Sequence, residues 1–231
     1  MSDTKTKDTK PSLHHVILTI SHLHHDPNSL VEKVRVLGSY DSPKHASAAA
    51  HRCLFEAGFR REWFSQYETD PAYFEKNNVQ QREGLAVLAV EPNGTTYRAR
   101  VLTSANSGGF STVLEDGRIP ESLFHVLVTR VEYEVEESGE VRDTGVRGTF
   151  ATYEEARAFA GRALLEDAGA NVTKESFAEW DEAAAGERDC GYGENVIVHA
   201  MGNKGENFLV SIVQGLELES VRLAEASMRI R

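Results

Sequence analysis

His14-His15-Val16-Ile17-Leu18-Thr19-Ile20-Ser21 and Phe124-His125-Val126-Leu127-Val128-Thr129-Arg130-Val131-Glu132 decide the fold, because they read as one β-strand written twice. Both are rich in Val, Ile, Leu and Thr, the composition of a strand. His15, Val16 and Thr19 return as His125, Val126 and Thr129, a spacing of 110 positions. Downstream, Val36, Gly38 and Tyr40 return as Val146, Gly148 and Phe150, and Ala46, Ala50 and Leu54 as Ala156, Ala160 and Leu164. After one inserted residue, Val87, Ala89, Gly94 and Tyr97 are matched by Val198, Ala200, Gly205 and Phe208 at 111. A fixed offset held over such a span is the mark of an internal repeat.

Each repeat carries the same signals in the same order. Second strands are expected over residues 30–40 and 140–150. Ser42-Pro43 supplies an N-cap followed by proline at the first helical position, and Thr152-Tyr153-Glu154-Glu155 supplies a capping box. Ala46, Ala49, Ala50, Cys53, Leu54 and Ala57 then fall on one helical stripe, matched by Ala156, Phe159, Ala160, Ala163, Leu164 and Ala168. Gly58 and Gly169 mark the helix ends. An aromatic stretch follows, and each repeat closes on a hairpin, 85–90 with 97–103 and 196–201 with 208–214, turned at Pro92-Asn93-Gly94 and Asn203-Lys204-Gly205.

The expected fold is therefore α+β: a tandem duplication of a strand-strand-helix-strand-strand unit, its mostly antiparallel sheet carrying a small-residue helix. The division is a polar tail over 1–12, unit 1 over 13–103, a Ser/Gly-rich linker over 104–120, unit 2 over 121–214 and a helical segment over 215–231.

With 36 acidic against 25 basic residues and a formal charge of −11, the chain repels a phosphate backbone, so no nucleic-acid partner is expected. No apolar run reaches the roughly 20 residues of a membrane helix and residues 1–10 lack the apolar stretch of a secretory signal, so no membrane association and a cytoplasmic location are expected. Cys53 and Cys190 are too few for a disulfide framework and read as free thiols.

Phosphate-loop, nucleophile-elbow, Cys-x-x-Cys and His-Glu-x-x-His motifs are all missing, which favours a binding role over catalysis and implies no cofactor. Nothing in the sequence places Cys190 beside His199 as a nucleophile pair. The repeated His15 and His125, with Thr19 and Thr129 on the same strand faces, are candidates to line a groove between the units. Trp63, Tyr67 and Trp180 are candidate pocket aromatics, with core packing as the competing reading. His22, His24, His25 and Asp26 have metal-ligand chemistry but no counterpart in unit 2, where a solvated loop is the competing reading. The leading expectation is a non-catalytic protein binding a protein partner or a small apolar ligand near the inter-repeat groove. The alternatives are an enzyme using His15 or His125 as acid or base, and a metal-binding protein.

Overall fold

A computed structural model describes residues 11–21, 33–76, 83–133, 140–167 and 172–215. These residues build two five-stranded antiparallel sheets and four α-helices. The first unit runs β1 (Ser12–Ser21), β2 (Lys33–Tyr40), α1 (Pro43–Glu56), β3 (Gln66–Glu68), α2 (Pro71–Lys76), β4 (Leu85–Val90) and β5 (Thr96–Ala105). The second runs β6 (Phe124–Tyr133), β7 (Glu140–Phe150), α3 (Tyr153–Ala160), α4 (Ala163–Asp167), β8 (Glu179–Glu182), β9 (Val196–Met201) and β10 (Asn207–Gln214). Their strand orders, β2-β1-β5-β4-β3 and β7-β6-β10-β9-β8, are the same. Each unit thus has one strand more than the sequence reading counts, the short β3 and β8 drawn from the aromatic stretches onto the sheet edge.

The first strands read as nearly unbroken apolar runs because both of their faces are covered. Val16, Leu18 and Ile20 pack under α1 with Ala46, Ala50 and Leu54, while Ile17, between them, faces Leu127, Val36, Val146 and Leu102. In unit 2, Val126 and Val128 lie under α3 and Leu127 faces unit 1. The layers are therefore helix, sheet, sheet, helix, with the two sheets face to face. Contacts across the middle are reciprocal, β5 with β7 and β10 with β2, as in an isologous dimer interface.

Both β1–β2 and β6–β7 carry a bulge at the same place. Val16 pairs with Gly38 and Ile17 with Val36, leaving Leu37 as the extra residue; Val126 pairs with Gly148 and Leu127 with Val146, leaving Arg147. The glycines are needed there, since a Cβ on Gly38 would stand 3.2 Å from the Tyr40 ring and one on Gly148 would stand 2.7 Å from the Phe150 ring. This contact explains why the glycine and the aromatic residue repeat together.

Caps form where the sequence places them. The Ser42 hydroxyl accepts from the His45 N–H, and Thr152 and Glu155 complete a capping box. Helix α1 ends with Gly58 at φ +88°, where Gly58 N–H donates to Phe55 and Phe59 N–H to Leu54. The expected single helix of unit 2 is broken into α3 and α4 at Gly161-Arg162, where Arg162 N–H reaches back only to Phe159. Gly169 and the expected segment 215–231, beyond Gly215, lie outside the described residues. The linker is pinned against β2: Ile119 N–H donates to the Ser39 carbonyl at 2.8 Å and Asp41 N–H to that of Gly117 at 3.0 Å, shielding a sheet edge.

Ala50 and Ala160 are fully buried where each helix meets its sheet. Ala50→Leu and Ala160→Leu should each lower stability by about 1–3 kcal/mol through overpacking, measured by denaturant melts.

Candidate functional site

Alternation along β1 and β6 puts the repeated histidines on the inner faces of the sheets, where they meet beside the two bulges. His15 and His125 are fully buried, their ring centroids 5.1 Å apart at 72°. His15 uses both ring nitrogens, Nδ1 with Ser39 Oγ and Nε2 with Ser104 Oγ, each at 2.8 Å. His125 Nδ1 is 3.2 Å from Thr149 Oγ1, the counterpart of Ser39. Gly215 occupies the position that matches Ser104, so the hydroxyl that holds His15 Nε2 has no equivalent at His125. Among the described residues, His125 Nε2 has no hydrogen-bond partner. It faces Gly215, on which a Cβ would stand 3.7 Å away.

Burial disfavours the charged imidazolium at both rings. It pushes His125 down to about 4, and burial followed by the neighbouring His125 and His14 charges holds His15 well below its ordinary value. Both rings are neutral near pH 7. His125 is the one with a nitrogen left to act as an acid, a base or a hydrogen-bond partner.

A cavity of about 210 Å³ opens beside His125, walled by Gly38, Ser39, Leu37, Ile119 and Leu123, with Arg118 and Glu121 at its rim. Thr19 and Thr129 share strand faces with the histidines but stay apart from that cavity. Thr19 Oγ1 donates to the Arg98 carbonyl at 3.5 Å, and Thr129 Oγ1 lies 2.9 Å from Thr144 Oγ1. Thr129 instead borders a separate pocket of about 150 Å³ with Val34, Ser211 and Tyr192.

The candidate aromatics lie at the helix-facing side of each sheet and do not join the histidines. Tyr67 packs between Phe55 and Phe64, Trp63 stands half exposed beside Phe59, and Trp180 rests on Phe177 under Lys174. His22, His24, His25 and Asp26 lie outside the described residues. Among the described residues no group of three or more His, Cys, Asp or Glu side chains is placed to hold a metal ion. Cys53 and Cys190 are free thiols there. Cys190 does lie against the His199 backbone, but burial raises its thiol and keeps it protonated. The His199 ring is engaged elsewhere, stacked on Tyr192 at 3.7 Å and bonded through Nε2 to Asn207 at 2.9 Å.

A further opening has no counterpart in the likeness of the repeats. It is a cleft of about 460 Å³ along β7, where Leu102 and Arg100 of unit 1 meet Val146, and where Val128, Leu164, Phe177 and Phe208 of unit 2 form an apolar wall. Its origin is a pair of differences between the repeats. Unit 1 has Arg35 and Leu37, and Leu37 fills the core under α1; unit 2 has Gly145 and Arg147 at those places. Gly145 leaves a gap over the sheet edge, and Arg147 lies above it, 3.9 Å from where a Cβ would be. Arg100, fully buried, donates to the Thr144 and Glu83 carbonyls at 3.1 and 2.8 Å and pairs with Asp143 at 3.0 Å, forming the inner end. Such a mixture of apolar wall and a few fixed polar groups suits a small-molecule site.

No protein-family model, curated protein or solved structure matches the chain.

Folding buries two imidazoles in neutral form, so their protonation works against it. The unfolded His125 takes up a proton as pH falls through about 6.5 and the folded one only near 4, so stability falls across that window. Between pH 7 and 4.5 the wild type should lose about 2–3 kcal/mol more than His125→Gln, which lacks the titrating group. Urea unfolding of both proteins at the two pH values checks this.

Proposed function

We propose that the protein binds a small amphiphilic anion, an apolar body bearing one acidic group, in the cleft between the units along β7. Support comes from the exchange of Leu37 and Arg35 in one repeat for Arg147 and Gly145 in the other, which opens an apolar wall and sets a guanidinium at its mouth. Val128, Leu164, Phe177 and Phe208 would take the apolar body. Arg147 and Arg130, the latter paired with Glu132, are exposed residues of the lining, and an arginine fork matches a carboxylate better than a lysine would. Glu83 and Asp143 are the acidic residues of the lining, and Asp143 is already paired with Arg100.

The reading is of a binding protein acting inside the cell rather than of an enzyme. No helix among the described residues is long and apolar enough to cross a membrane. Origin of the two units by duplication accounts for how a symmetric plan acquired a one-sided site: one copy kept a closed core edge while the other opened.

Dodecanoate titrated calorimetrically tests the proposal. The protein should bind it saturably. Gly145→Leu should abolish binding by filling the gap while leaving stability within about 0.5 kcal/mol, as for an unstrained surface change. Arg147→Gln should weaken binding about tenfold through loss of a charge-assisted contact. Equal affinity in the wild type and Gly145→Leu would overturn the assignment.

A further inference from the structure

The cavity at His125 is separate from the cleft along β7 and shares no lining residue with it. Its floor has been made in an unusual way. One ring nitrogen of the buried His125 opens onto the cavity instead of meeting a partner, because Gly215 stands where the other repeat has Ser104. A polar atom that opens onto a cavity is met there either by water or by a ligand.

One choice of tautomer at His125 and His15 makes the inner groups of that space donors. With Nδ1 accepting from the Thr149 hydroxyl, a neutral His125 presents Nε2–H to the cavity. Ser39 stands on the same wall, at the end of the chain Ser104–His15–Ser39. With Ser104 donating to Nε2 of His15 and Nδ1–H donating to Ser39, the Ser39 hydroxyl proton is free to point inward. Arg118, exposed at the rim, has no ion-pair partner among the described residues and adds a cation; Glu121 on the same rim is exposed and screened. Leu37, Ile119 and Leu123 close the remaining walls with hydrocarbon.

We infer that the His125 cavity is a binding site for a short-chain carboxylate, its oxygens taken by His125 Nε2–H, the Ser39 hydroxyl and the Arg118 guanidinium. A volume of about 210 Å³, set against the roughly 150 Å³ that takes benzene, suits a ligand of fewer than about ten heavy atoms. Such a ligand would meet on His125 the need that Ser104 meets on His15.

Acetate is the probe, followed through the imidazole ¹⁵N resonances of His125 in the full-length protein, with acetamide as its neutral isostere. Acetate should shift Nε2 saturably and acetamide should fail to compete. Gly215→Ser should eliminate the saturable shift by supplying the missing hydroxyl; its Cβ would meet only His125 Nε2 at 3.7 Å and the Val36 carbonyl at 3.9 Å, ordinary contacts that leave the fold intact. Arg118→Gln, on the exposed rim, should weaken acetate about tenfold, and Glu121→Gln should not weaken it. Gly145→Leu, which closes the β7 cleft, should leave acetate binding unchanged, so this site and the cleft stand or fall separately. A shift that rises linearly without saturation, unaltered binding in Gly215→Ser, or equal competition by acetamide would each overturn the assignment.

Discussion

The face-to-face packing of two sheets through a pair of neutral histidines is the constraint on which the rest of the molecule depends. Each sheet has one face under a helix and must cover the other; Ile17, Val36, Leu102, Leu127 and Val146 show that the partner unit does so. Two imidazoles in that layer are tolerated because hydroxyls from the neighbouring strands meet three of their four nitrogens and because burial keeps the rings uncharged. An imidazolium there would face a second ring 5.1 Å away, and its hydrogen-bond partners are hydroxyls with no carboxylate among them. Arg100 is the other polar group carried into the layer, and it too is satisfied, on the Glu83 and Thr144 carbonyls and Asp143.

Given that shared plan, the openings lie where the repeats differ. Ser104 against Gly215 frees His125 Nε2, and Leu37 against Arg147 with Arg35 against Gly145 opens the edge of β7. Arg100 against Ser211 is a third difference: the arginine bolts β5 to β7, while Ser211 at the reciprocal contact borders the 150 Å³ pocket. In each case a side chain that fills one interface is replaced by a smaller or differently directed one in the other. Residues held in common build the frame, and residues that diverge shape what it can hold.

Much of the frame was legible in the sequence. The strands and hairpins, the caps at Ser42 and Thr152 and the pairing of repeat positions follow from composition, capping chemistry and a constant offset. Strands β3 and β8, three and four residues long, were hidden because so short a segment has no period of its own and its aromatic residues pack equally well without a ladder. The break after Ala160 was hidden because Ala163 and Leu164 still fall on the helical stripe after the kink. The meeting of His15 and His125 could be suspected from their recurrence, but alternation along a strand says which face a residue takes and not what lies opposite it. Likeness between the repeats carries no sign of the cleft, whose signal is the unlikeness at 35 and 37 against 145 and 147.

If the inner faces of the two sheets are one shared core, the units cannot lose their structure separately. The protein has one tryptophan in each, Trp63 and Trp180, so Trp180→Phe and Trp63→Phe leave a fluorescence reporter in unit 1 or unit 2 alone. Denaturant unfolding of both variants, with far-ultraviolet circular dichroism as the common reference, tests the central claim most directly. The two reporters should move together with the circular dichroism signal, in one transition at one midpoint once each variant's own stability is taken into account. Two transitions in the circular dichroism, each matched by a different tryptophan, would contradict a structure held together at its middle.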